Sequence, residues 1–103
     1  MLKTTGYDKD EIVSFKMVNG DEIVAKIVEE TDSGYVISKP CTVMPSAQGL
    51  GLIQSLFTSE LNNNVSLGKA HVMMSSKTVE AVKNHYIQTT TGIQPASAGG
   101  IIT

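Results

Sequence analysis

Phe15-Lys16-Met17-Val18-Asn19-Gly20-Asp21-Glu22-Ile23-Val24-Ala25-Lys26-Ile27 decides how the chain is read. Phe15 and Met17 alternate with Lys16 and Val18, and Val13 and Ser14 carry the same period of two backward. That period gives a strand with one apolar face. Beyond Asn19-Gly20, Ile23, Ala25 and Ile27 alternate with Val24, Lys26 and Val28 in a second strand. Asn-Gly between two such runs is a strong hairpin signal, because both residues of a two-residue turn must tolerate positive φ.

Toward the C-terminus, Thr31-Asp32-Ser33-Gly34 closes the second strand with turn chemistry. Tyr35-Val36-Ile37 then opens a third strand that meets Pro40 and runs on through Cys41-Thr42-Val43-Met44. Proline has no ladder N–H, so Pro40 belongs at a bulge or bend. A long bent strand is what a small barrel needs to turn its corner. After the loop Pro45 to Gly49, Leu50 to Thr58 is apolar on both alternating faces, with Leu50, Leu52 and Leu56 on one and Ile53 and Phe57 on the other. Such a strand must be covered twice, by its own core and by something else. Leu61-Asn62-Asn63-Asn64 marks a turn, and Val65 to Met74 reads as a fifth strand. Val79, Val82 and Tyr86 then fall at helical spacing, with Glu80 placed to reach Lys83 and Ser76 or Thr78 as cap.

The expectation is an all-β domain, a small five-stranded barrel with a short C-terminal α-helix over residues 11–88. A flexible arm over residues 1–10 precedes it, and an uncharged flexible tail over residues 89–103 follows. The 103-residue length suits one domain. With three Tyr, two Phe and no Trp, the core is thin for a monomer, and association is one way to gain stability. A net charge of −2 argues against non-specific polyanion binding, though charges act only over about 8–10 Å and a local basic patch stays open. The single cysteine, Cys41, leaves no intramolecular disulfide. No leader-like run and no membrane-length apolar run stands out, so the expected setting is cytoplasmic, without membrane contact. Asn64-Val65-Ser66 matches a glycosylation acceptor and is read as chance.

The hairpin segment Phe15 to Ile27 looks like the first motif of the Sm-like family, in which an apolar strand, a turn glycine and a second strand precede an Asp-bearing turn. Val65-Ser66-Leu67-Gly68-Lys69-Ala70-His71-Val72 is similar to its shorter second motif. The whole pattern over residues 11–93, including the helix and the ending Tyr86 to Ile93, most resembles the Sm-like proteins carried by large tailed phages. The resemblance implies an SH3-like, Sm-like barrel that closes homo-oligomeric rings by pairing the fourth strand of one subunit with the fifth of the next. On that reading Leu50, Leu52, Ile53, Leu56, Phe57, Val65 and Leu67 form the subunit interface. The other reading of the fourth strand is that the C-terminal helix covers it. The chain departs from the family in three places. Its helical period follows the barrel instead of preceding it. Tyr35 stands about where RNA-binding members have a base-contacting Asn. Leu67-Gly68-Lys69 replaces the Arg-Gly pair.

No catalytic constellation is visible. His71 and His85 have no ligand-spaced carboxylate or cysteine near them in sequence, so neither a metal site nor a cofactor is expected. Cys41 in an apolar strand suits an inert core thiol. The glycines are turn-spaced and make no phosphate loop. The expectation is therefore not an enzyme. Three residues suit RNA: Tyr35 to stack on a base, and Lys69 and His71 to meet phosphate or a base edge. Taken singly, Tyr35 also reads as strand packing, Lys69 as a solvated charge and His71 as a satisfied imidazole. A ring repeats each contact and makes weak ones multivalent. The resemblance implies U-rich or A-rich single-stranded RNA. The competing reading is a structural or protein-interaction scaffold of phage type that binds no RNA, which the low Lys and Arg count favours.

Overall fold

The computed structural model describes residues 6–60 and 62–91. Residues 1–5 of the expected arm and residues 92–103 of the expected tail lie outside them. The fold is mostly β, as expected: a single antiparallel sheet followed by one helix.

Strands β1 (Ile12–Met17) and β2 (Glu22–Glu30) form the hairpin, with Ser14 opposite Val24 and Phe15 opposite Ile23. Its turn differs from the two-residue form implied by Asn19-Gly20. Gly20 N–H donates to Met17 O at 2.9 Å and Met17 N–H to Asp21 O at 2.8 Å. Only Gly20, at φ 98°, takes a left-handed backbone there. The loop is thus three residues long with a left-handed glycine at its end, the next commonest hairpin form. Asn19 contributes through its side chain, whose Oδ1 accepts from Asp21 N–H at 3.0 Å.

Strand β3 (Gly34–Ser46) is the spine of the sheet. One edge pairs with β2. The other edge pairs first with β5 (Asn64–Gly68) and then with β4 (Gly49–Gln54). Along β2 the register passes from Lys26 opposite Ser38 to Val24 opposite Cys41, so Lys39 and Pro40 together face one residue. Pro40 therefore sits at a bulge, as its missing N–H requires. Lys39 adopts φ 55° there. The extra residue turns the strand over. Tyr35 and Ile37 face one core with Val13, Phe15, Met17, Ala25 and Ile27, while Cys41 and Val43 face a second with Ile12, Val24 and Tyr86.

Among the described residues the sheet has six strands where five are expected, because the stretch from Val65 to Met74 is interrupted. The pairing of β5 with β3 ends at Gly68 opposite Gly34, where β3 enters its turn and offers no further partner. Lys69 N–H takes Ser33 O at 2.9 Å instead, and Lys69–His71 forms a 3-10 turn before β6 (Val72–Lys77). Strand β6 pairs with β1, at the far end of the order β4-β3-β2-β1-β6. Among the described residues the strands do not close into a hydrogen-bonded ring.

Strand β4 is also shorter than the apolar run Leu50 to Thr58. Ser55 N–H donates to Pro40 O at 2.9 Å, but Pro40 has no N–H to return, and the ladder ends. Leu56 and Phe57 consequently lie in a turn, where Gln54 Nε2 donates to Leu56 O and Ser59 O. Helix α1 (Glu80–Thr91) continues past the expected boundary at residue 88. Val79, whose carbonyl accepts from Lys83 N–H, occupies the cap position expected of Ser76 or Thr78. Thr78 is engaged elsewhere, its Oγ1 lying 2.8 Å from Ser14 Oγ. Val82 and Tyr86 pack on the second core, and Tyr86 Oη donates to the bulge carbonyls of Ser38 at 3.1 Å and Lys39 at 2.8 Å. Among the described residues no helix is long and apolar enough to cross a membrane.

Candidate functional site

The two segments that carry the resemblance meet at the 3-10 turn Lys69–His71. The turn Thr31 to Gly34 is knotted by Thr31, whose N–H donates to Gly34 O at 2.8 Å and whose Oγ1 accepts from Gly34 N–H at 3.1 Å. Gly34 is buried against β5, and a Cβ there would stand 2.4 Å from Leu67 O. Only glycine lets the two strands approach so closely. Beside this turn runs the 3-10 turn, joined to it by the Lys69–Ser33 backbone bond and to the hairpin by Val18 N–H donating to His71 O at 2.9 Å.

This arrangement brings Tyr35 and Lys69 into contact. Lys69 Nζ stands 5.3 Å from the centroid of the Tyr35 ring, within reach of a cation–π attraction. The ring itself is only 9% exposed, tilted against Phe15 at 5.0 Å and Tyr7 at 6.3 Å between centroids. In the described chain Tyr35 is thus a packed residue, with its ring contacted by Phe15, Tyr7 and Lys69. Lys69 is paired as well, with Nζ 2.8 Å from Glu30 Oε2. The hydrogen bond to Glu30 is the main reason its ammonium is held above the ordinary lysine range. His71, in the same 3-10 turn, is exposed beside Met17, Val18, Asn19, Asp21 and Ile23.

Two residues of this cluster escape sequence reasoning. Tyr7, in the expected arm, donates its N–H to Glu30 Oε1 at 3.0 Å, and its hydroxyl lies 2.8 Å from Ser75 Oγ. Glu30 therefore ties the arm and Lys69 to the end of β2 at once. No local period relates positions 7, 30, 35 and 69, so no pattern in the chain announces the contact.

The expected interface residues fall into two groups. Leu50, Ile53, Leu56 and Phe57 are exposed, Phe57 the most at 77%. Leu52 packs against the second core, while Val65 and Leu67 pack against the first. Exposed Met73 and Met74 on β6 form a further apolar pair that the sequence reading did not single out. Leu50 shares a groove with Val79 and with Val82 of the C-terminal helix, while Ile53, Leu56 and Phe57 stay exposed.

Compared with family models and with curated proteins, the chain matches none. The remaining chemistry is sparse. Among the described residues no three His, Cys, Asp or Glu side chains gather as a metal site. The Cys41 thiol is buried and pushed up to about 11 by desolvation, which removes the thiolate that a nucleophile needs.

Proposed function

We propose that the chain is a non-enzymatic, ring-forming protein of the Sm-like type, whose copies join through unlike edges of the sheet. The observation that carries this is the distribution of exposed apolar side chains. Strand β4 and its following turn present Leu50, Ile53, Leu56 and Phe57 at one end of the strand order, and β6 presents Met73 and Met74 at the other. Among the described residues β4 pairs only with β3, and β6 only with β1. An unpaired edge is a template for another strand. Joining two different edges is a heterologous contact, which closes a ring when the rotation between copies is right.

The order of strands supports the barrel type as well. Strands β5 and β6 lie at different ends of the sheet, yet only Lys69–His71 separates them in sequence. A three-residue link draws the two ends of the sheet together, as in a small barrel that is nearly shut.

Single-stranded RNA is the ligand on this reading. It is favoured by the meeting of the Ser33 turn with the Lys69–His71 turn, which sets Lys69 against the Tyr35 ring. Around a ring that contact repeats once per copy, and weak contacts add. A scaffold without RNA is the competing reading, and the net charge of −2 favours it.

Native mass spectrometry of the full chain, alone and with short oligo(U) and oligo(A), tests both. The expected result is a closed oligomer that gains the mass of RNA. An oligomer that gains nothing keeps the ring and moves the function to a protein scaffold. A monomer at every concentration overturns the ring.

A further inference from the structure

Four groups converge on the Glu30 carboxylate end of β2: the Tyr7 backbone, the Lys69 ammonium, and through Lys69 the Tyr35 ring and the second-motif turn. The Lys69 Nζ–Glu30 Oε2 distance is 2.8 Å, and Tyr7 N–H reaches Glu30 Oε1 at 3.0 Å. Tyr7 and Lys69 both also contact the Tyr35 ring. One carboxylate thus holds two of the groups that contact the aromatic face.

This holding works against a polyanion. A phosphate approaching Lys69 meets the Glu30 charge beside it, and the two charges cancel at a distance. A base approaching Tyr35 meets Lys69 and Tyr7 first. Yet the pair is weak enough to part, because the Lys69 and Glu30 side chains remain 34% and 24% exposed. Partly solvated ion pairs contribute little net stability, while a phosphate offers the same ammonium a charge-assisted bond of its own.

We infer that Glu30 is a latch that keeps the Tyr35–Lys69 surface closed until Lys69 exchanges its carboxylate for an RNA phosphate. The inference rests on the RNA reading for the identity of the anion, but the latch itself is a property of the free protein. When Lys69 swings to phosphate, it leaves the Tyr35 ring and opens that side of it for stacking. Glu30 is a positioning residue in this scheme, since it touches Lys69 and the arm and not the RNA.

The Glu30→Gln variant tests the latch, because glutamine keeps an oxygen for Tyr7 N–H and removes the charge that holds Lys69. Full-length wild type and variant are compared in two ways, after matching thermal unfolding has shown both to be folded. Acylation of Lys69 by an N-hydroxysuccinimide ester, followed by peptide mass mapping, reads release of the ammonium without any RNA. Fluorescence anisotropy with labelled oligo(U) and oligo(A) reads binding, with Lys69→Gln as the control that removes the cation. The expected result is acylation faster by roughly fivefold, the scale of freeing one partly exposed pair, with tighter RNA binding that Lys69→Gln abolishes. Equal acylation rates overturn the latch, whatever the RNA result. Faster acylation with no RNA bound by any protein sustains the latch and overturns the RNA reading on which its ligand rests.

Discussion

Gly34 is the residue at which the sheet tolerates least. A methyl group there would sit 2.4 Å from the Leu67 carbonyl, which belongs to backbone and has no rotamer to yield. Gly34→Ala is expected to cost about 1–3 kcal/mol, the range of overpacked sites, read as a lower urea midpoint. Gly20 presents the opposite case, with open space around it but φ 98°. Gly20→Ala is expected to cost about 1 kcal/mol, because the strain of a left-handed alanine is its only fault. The buried titrating groups define a pH limit. Desolvation raises the Cys41 thiol from its ordinary value of 9.0 to about 11, and chiefly raises the Tyr86 phenol in the same direction. Between those values for the thiol, the unfolded chain has lost its proton while the folded chain keeps it. Unfolding then releases a proton, so stability falls as pH rises from 9 toward 11. Thermal melts across that interval check the sign, and Cys41→Ala is expected to flatten the slope.

At the scale of the element, the bulge in β3 and the helix act as one unit. Tyr86 Oη caps the carbonyls of Ser38 and Lys39, where the strand enters the bulge of Lys39 and Pro40. Tyr86→Phe is expected to lose about 1–2 kcal/mol, since it leaves those acceptors with no hydroxyl in a desolvated place. Lys39→Gly is expected to be neutral or stabilising by up to about 1 kcal/mol, because a glycine relieves φ 55° at the cost of extra freedom in the unfolded chain. Urea denaturation of both variants measures the pair. These elements also mark how far the sequence could be read. Strands β1 and β2 follow from alternation because each keeps one register with its core over the hairpin. In β3 the apolar positions 35, 37, 41 and 43 all have the same parity, which local reading assigns to one face, yet the bulge divides them between two cores. Pro40 pointed to the place of the bend and not to this exchange. The ends of β4 and β5 were hidden for a related reason. Each strand stops where β3 stops offering a partner, which is a property of another part of the chain. Tyr35 and Lys69, which meet in the structure, were singled out from the sequence as separate positions. Glu30 and Tyr7 were not, because an ion pair and an arm contact leave no periodic trace.

The molecule as a whole presents unlike rims, and the proposed ring should depend on each of them separately. Phe57 is 77% exposed in a turn pinned by Gln54, and its side chain belongs to neither core cluster. Phe57→Asp is therefore expected to leave the unfolding midpoint within ~0.5 kcal/mol of wild type while shifting sedimentation velocity to the monomer. An unchanged oligomer would remove the β4 rim from the interface. The pairing of β6 with β1 sets a different requirement, on the making of the protein. Val13 lies opposite Lys77, so β1 leaves the ribosome well before the strand that pairs with its second edge. Until then β1, β2 and β3 can fold back on one another as successive hairpins, but one side of β1 stays open. Non-local pairing of this kind is slow because the long intervening chain must first be confined. The nascent protein therefore passes through a stage in which Val13, Phe15 and Met17 stand beside an open edge, exposed to wrong partners until β6 arrives to shut it.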